Sequence, residues 1–437
     1  MADTALELLG RFIATASPQP GVESVEFLRH AIIDNYACML AGANQAVTQK
    51  TIRALTSSGQ VYATAASRIY GSTHRANPSA AAMVNAISAH ALDFDDWEVP
   101  GNTHISAILL PALLAAGAGQ KLTGESLLDA YLVGFEVVAR IGEAINLEHY
   151  ARGWHASATL GAIGAAAAVA RLRRLDAAQS TNALAIACSR GLGYNAQFGS
   201  EAKPLQVGFA VEGGFLAACL AAEGLGGRAN MLEHEAGMLV LMSHGERQRL
   251  QKPMQQLGRK LALDEHGIVF KPWPSCGYSH RIMTGMLEMR ALIADPGQID
   301  SIELHLPEMH AAILPYAQPG NRDEALFSLP YCATMALLYG RLTIADIEAQ
   351  SWQWPDVRQL VAKISIHPFV QHRPELNYDP LQPDRILVYS NQSSECVETS
   401  YPLGAPQKPM SQQQHFDKFC ACSALPRSAA EQAWQGL

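Results

Sequence analysis

The chain has 437 residues, 40 acidic against 32 basic side chains, a formal charge of −8, 49% hydrophobic residues and 16% charged ones. That composition excludes intrinsic disorder, which needs much charge and little hydrophobicity. It also offers no basic face for nucleic acid. The length fits about two or three domains, or one large core with an appended unit, and a local cationic pocket for a small anionic substrate is compatible with a mild acidic excess.

The opening MADTALELLGRF has Asp3 and Glu7 where a secretory signal needs basic residues and an apolar run, so no targeting segment is expected. Asn77-Pro78-Ser79 starts a helix through AAAMVNAISAHALDF, with Pro78 suited to the first turn. Leu128, Tyr131, Leu132, Phe135 and Val138 form a helical stripe. TLGAIGAAAAVARL and VEGGFLAACLAAEGLGG place small residues at helical spacing, which lets helices approach closely in a buried bundle. The apolar runs Ile105–Gly119 and Gly161–Leu172 are broken by Pro111 and Arg171 and fall short of the ~18 residues of a membrane span.

The texture changes near residue 265. SIELHLP (301–307), AKISIHPF (362–369) and DRILVYS (384–390) alternate apolar and polar residues at the strand period, and FSLPYCATMALLYG (327–340) returns to helix. The expected fold is mainly α: an all-helical domain over 1–265 with 405–437, and a smaller α+β lid domain over 266–404. The C-terminal helix, after a short connection at Tyr401–Pro409, returns to the first domain. The eight cysteines are scattered with no C-x-x-C, which points to reduced thiols in a cytoplasmic protein and against an iron–sulfur cluster.

Three polar clusters interrupt the apolar helices. The first runs His90-Ala-Leu-Asp93-Phe-Asp95-Asp96-Trp97 and on to Asn102-Thr103-His104. Helical spacing puts His90, Asp93 and Asp96 or Trp97 on one face. Carboxylates at a helix C-terminus oppose the macrodipole, so another group must hold them. A D-x-D-D terpene-cyclase reading fails on the 7% aromatic content. A metal reading through His104 lacks a second close-spaced ligand pair.

The second cluster is Glu148-His149-Tyr150-Ala-Arg152-Gly153-Trp154-His155, where Ser157 or Thr159 would cap the next helix and leave an anion site at its start. The third contains Lys203-Pro204 between apolar helices, where a lysine needs an anionic partner. In Lys271-Pro-Trp-Pro-Ser-Cys276-Gly-Tyr-Ser-His280, Cys276 is a candidate nucleophile with His280 four residues on as its base, and a simpler reading competes with covalent catalysis. The simpler reading has Lys271 and His280 bringing positive charge from the second domain to an interdomain site. No nucleotide fingerprint is present.

A-H-A-L-D-F-D-D, G-W-H-x-S-x-T-x-G, K-P-x-x-x-G, K-P-W-P-S-C-x-x-x-H, F-S-L-P-Y and a late K-P-M-S, in that order from about residue 25 to 425, resemble the MmgE/PrpD family. The resemblance implies a helical domain with an α+β lid, a homodimer, no metal or organic cofactor, and no partner beyond a small di- or tricarboxylate; neither nucleic acid nor membrane is expected. It implies a lyase, with 2-methylcitrate dehydration as the default. The alternatives are an epimerase of the iminodisuccinate type, a cis-aconitate decarboxylase, and a silent carboxylate-binding protein.

Carried over by position, the catalytic residues are Asp93, His104, His155 and Lys203. Lys271, His280 and Tyr331 are carried over in the same way as substrate-binding residues, and Trp97, Tyr150, Arg152 and Gln206 are expected to bind substrate beside them. Trp97, Ile105 and Gln206 depart from the family pattern, and a bulky Trp97 implies a smaller or flatter substrate than 2-methylcitrate.

Overall fold

The computed structural model describes residues 3–119, 122–243, 245–390 and 393–436. Residues 1, 2 and 437, the outer ends of the expected helical domain, lie outside them.

The first part is helical: α1 (Ala5–Thr15), α2 (Val22–Gly42), α3 (Ala46–Ser57), α4 (Pro78–His90), α5 (Ile105–Ala116), α6 (Gly124–Ile145), α7 (Glu148–Ala151), α8 (Ala156–Leu172), α9 (Ala177–Ala187) and α10 (Ala202–Ala222). Thr4 with Glu7 and Asp176 with Gln179 close capping boxes on α1 and α9, and Asn77 caps α4 ahead of Pro78. Every residue of α8 from Ala156 to Ala170 is buried, as expected of a helix apolar all round. It packs against α5, α6, α9 and α10. A Cβ on Gly214 would sit 2.2 Å from the Ala162 carbonyl oxygen, so glycine is what lets α10 lie against α8. By length and apolarity α10 would also cross a bilayer, with a mean hydropathy of 1.6; here it lies against α4, α8 and α9 as a core helix and carries Lys203 and Gln206 at its start.

A short pair, β1 (Ser67–Arg68) with β2 (Arg75–Ala76), interrupts this part. The sheet follows later: β3 (Ile299–Pro307), β4 (Ile364–Phe369), β5 (Asp384–Ser390) and β6 (Ser393–Thr399), in the order β4-β3-β5-β6 with β3 and β4 parallel. The first three match the sequence expectation. β6 does not appear in it because the strand is polar and mostly exposed, with only Val397 and Thr399 buried. Helix His280–Leu292 covers β5 and β6, and Leu329–Tyr339 packs on that helix. The molecule is thus mainly α with a smaller α+β part.

The helix Gln412–Ser423 leaves the sheet and packs on α2, burying Phe416 and Phe419 against Ile33 and Ala37. Its Lys418 is buried, with Nζ 2.7 Å from Asp34 Oδ1. The same ammonium donates to the Phe94 carbonyl at 2.7 Å and lies 4.2 Å from the Phe94 ring centroid.

Lys418→Met leaves the Asp34 carboxyl buried without its partner, so it should cost about 3–5 kcal/mol of stability in urea unfolding. The double variant Asp34→Leu/Lys418→Met should recover most of that loss. Equal midpoints for wild type and single variant would show that the pair does not hold the C-terminal helix.

Candidate active site

The chain leaves α4 at His90, so the expected common helical face of His90, Asp93 and Asp96 does not form. Asp93 takes φ +48°, in the left-handed region that aspartate tolerates better than most residues. The three carboxylates consequently point in three directions. Asp95 stands between two imidazoles, its oxygens 2.9 Å from His90 Nδ1 and 3.1 Å from His104 Nδ1. Asp96 turns back to accept from the Ser106 backbone N–H at 3.2 Å, and burial together with the Asp34 charge pushes its carboxyl up to about 8.

Asp93 faces a cleft and holds two lysines. Lys203 Nζ donates to its Oδ2 at 2.8 Å. Lys271 Nζ donates to its Oδ1 at 2.5 Å and to its backbone carbonyl at 2.9 Å. All three side chains are buried. Lys203 comes from the first turn of α10, and Lys271 is delivered by the backbone bridge that pairs Trp97 with Val269. Burial alone would raise the Asp93 carboxyl, but Lys203 and Lys271 hold it well below the usual carboxylate range. These are the groups that the macrodipole argument required.

His104 is the N-cap residue of α5 and His155 that of α8. Together with α10, three helix N-termini meet at the cleft, each presenting partial positive charge. Burial is the main reason both imidazoles resist protonation: His104 is pushed down to about 3, and His155 is pushed well below its ordinary value with Lys203 adding to the effect. Both therefore favour the neutral form in the ligand-free protein. His155 Nδ1 lies 3.1 Å from Gln206 Oε1, and its Nε2 is buried with no hydrogen-bond partner.

The cleft is narrow, with a cavity volume of about 30 Å³, and is lined by Asp93, Trp97, His104, Tyr150, His155, Lys203 and Lys271 from the expected set. Asn102, Ser157, Phe198, Cys276, Gly277, Tyr278 and Phe327 complete the wall. Lys203 Nζ sits 5.2 Å and 5.1 Å from the ring centroids of Phe198 and Phe327, within cation–π range. Tyr278 and Phe327 lie inside motifs already singled out, whereas Phe198 gives no signal beyond being aromatic. Asn102 belongs to the loop that Glu98 closes by accepting from the Gly101 and Thr103 backbone N–H groups at 2.7 and 3.2 Å.

Four expected binding residues stand elsewhere. Arg152 is exposed at the end of α7 and donates to the Ser243 carbonyl at 2.7 Å, pointing away from the cleft. Tyr331 is buried in the α+β core with its hydroxyl 2.7 Å from Ser351 Oγ. His280 sits behind the wall, 3.1 Å from Ser275 Oγ and against Trp273. Gln206 touches His155 rather than the cavity. The helix caps also differ: Ser157 Oγ accepts from the His104 N–H at 3.0 Å, and Thr159 Oγ1 pairs with His149 Nε2 at 2.7 Å.

Two chemical readings lose their geometry. Because His280 Nε2 faces Ser275, Cys276 has no base there, and burial, with the Asp93 charge, pushes its thiol up to about 11. His90, Asp93, Asp95 and His104 lie close enough to suggest a metal. Both Asp93 oxygens already accept from ammonium groups, and a cation there would meet two like charges.

The buried cleft brings together two lysines, a shared carboxylate and two histidines whose charged forms burial disfavours, a set able to hold an anion. In the family comparison the model "MmgE/PrpD N-terminal domain" matches residues 7–251 and "MmgE/PrpD C-terminal domain" matches residues 273–435. The chain belongs to the MmgE/PrpD family. Among its relatives, a cis-aconitate decarboxylase of Homo sapiens is 29% identical over 358 residues, covering 79% of this chain and 73% of the relative. One of Mus musculus is 27% identical over 361 residues, covering 79% and 72%. One of Aspergillus terreus (strain NIH 2624 / FGSC A1156) is 26% identical over 419 residues, covering 90% and 84%.

Only thiolate reacts with iodoacetamide, so at pH 8 Cys276 should be alkylated about a hundredfold more slowly than the exposed Cys396. Peptide mass spectrometry follows both sites. Equal rates would mean that Cys276 is an activated nucleophile after all.

Proposed function

We propose that this chain is a cofactor-independent carboxy-lyase acting on a cis-aconitate-like unsaturated tricarboxylate. The observation that carries the reading is the charge of the cleft wall. Two ammonium groups less one carboxylate leave one positive charge among the lining residues, and two neutral histidines stand beside them. A trianion entering a buried site is stable only if roughly two more positive charges form. His104 and His155 are the groups able to supply them by taking up protons.

The chemistry then uses those protons. A carboxylate on Lys203 or Lys271 is anchored and oriented. The bond from the substrate methylene to its carboxyl group breaks and carbon dioxide leaves. The released electron pair forms a new double bond to the central carbon. The old double bond's electrons take a proton at the far carbon, beside the other carboxylate. An imidazolium of His104 or His155 gives that proton and returns to its neutral form. Trp97, Phe198 and Phe327 narrow the cleft and favour a flat, unsaturated skeleton over the tetrahedral centres of 2-methylcitrate. The named relatives likewise support decarboxylation over the dehydration taken as the default from sequence. Chelators should leave activity unchanged.

Proton NMR in D2O should show cis-aconitate converted to a methylene-bearing diacid with one deuterium at the newly protonated carbon. His155→Ala should remove turnover while leaving the fold intact. No product from cis-aconitate, with a new alkene from 2-methylcitrate, would replace decarboxylation by dehydration.

Binding should also draw protons from the buffer. Calorimetry of itaconate, a dianion, in buffers of different ionisation enthalpy should give an uptake that approaches one proton, one fewer than a trianion would draw. Because the protonated histidines belong to the complex, KM should rise as pH rises through the range where they would release those protons. A KM independent of pH would exclude this account.

A further inference from the structure

Gln206 sits one helical turn after Lys203 on α10, so one face of that helix serves both the anion site and His155. Its amide orientation is set by the backbone of Tyr194. The Tyr194 N–H donates to Gln206 Oε1 at 2.8 Å, and Gln206 Nε2 donates to the Tyr194 carbonyl at 3.3 Å. A reversed amide would face donor to donor and acceptor to acceptor. The oxygen is therefore the atom that meets His155 Nδ1, 3.1 Å away.

The surrounding backbone is built to allow this. Trp154 pairs with Tyr194, and the His155 N–H donates to the Gly193 carbonyl at 2.9 Å. A Cβ on residue 193 would come within 2.3 Å of Gln206 Oε1, so only glycine leaves the amide its place.

We infer that Gln206 is the positioning residue that fixes the tautomer of His155: Nδ1 carries the proton and Nε2 keeps its lone pair toward the cleft. This deepens the proposed reaction and rests on it for its catalytic meaning. An acceptor without charge holds the Nδ1 proton in place yet does not stabilise imidazolium as a carboxylate would. His155 Nε2 thus has no proton until an anion arrives, and the proton it then gains is the one it can transfer. His90 makes the contrast: its Nδ1 faces the Asp95 carboxylate.

Nitrogen NMR of the full chain labelled with ¹⁵N-histidine, with His155 identified by loss of its signal in His155→Gln, reads the tautomer without any substrate. The ligand-free protein at pH 7 should show His155 neutral, protonated at Nδ1. A proton on Nε2, an imidazolium, or an equal mixture would overturn the inference. Gln206→Met keeps the length but removes the acceptor. It should give mixed tautomers and lower kcat about a hundredfold, with KM changed much less. A single Nδ1–H tautomer persisting in that variant would also overturn it. Gln206→Glu retains an acceptor for both His155 and the Tyr194 N–H and should raise the pH at which His155 loses its charge by about 1–3 units. Should the spectra show the locked tautomer while no carboxylate is turned over, the inference stands and the reaction assigned to the chain falls.

Discussion

Asp93 accepts hydrogen bonds from two buried ammonium groups that belong to distant segments of the chain, and neither could be buried there without it. The rest of the site follows from that constraint. The chain must leave α4 and reverse at a left-handed aspartate, α10 must begin where Lys203 can reach one carboxylate oxygen, and the Trp97–Val269 bridge must bring Lys271 to the other. A substrate carboxylate therefore enters a site whose cations are already held in place, and it competes with an internal anion for them. That competition favours a ligand with several carboxylates over one with a single charge.

The histidines answer the same constraint from the opposite side. Burial and neighbouring lysines favour their neutral forms while the cleft is empty, so its wall carries one net positive charge rather than three. The ligand's own charge then completes the acid. In the proposed reaction protonation, binding and positioning are a single event, and an imidazole that holds no second proton in the free protein carries one only where it is to be given away.

Much of this was legible in the sequence because polar residues in apolar helices must have partners. Asp93 at a helix end, Lys203 between apolar segments and two histidines at helix starts each raised that question, and the structure answers it by bringing them together. The misreadings have a common origin. Arg152 lies close to His155 in the chain, but the short helix α7 turns it outward, while Tyr331 shares a motif with the cleft-lining Phe327 yet is buried in the α+β core. Sequence proximity says nothing about which side of a turn a side chain leaves. β6 is not legible because an edge strand with two buried residues carries almost no period, and Phe198 because aromatic side chains in walls and in cores look alike as letters. The amide of Gln206 was placed near the site, but the partner that gives it meaning is the backbone of Tyr194, which no side-chain pattern records.

Lys418 grips both Asp34 and the carbonyl of Phe94, the residue next to Asp93, across sequence separations of 384 and 324 residues. During synthesis the ribosome releases Asp34 and the catalytic turn long before it makes the helix that fastens them. Contacts of such long range also slow folding, because the loop they close must be ordered before they return any stabilisation. The growing chain can assemble its helices early, yet the turn that carries Asp93 gains its final support only when that last helix docks. The cleft is thereby tied to completion of the polypeptide, and a chain cut short before residue 412 would keep most of its core without the clasp that steadies the Asp93 turn.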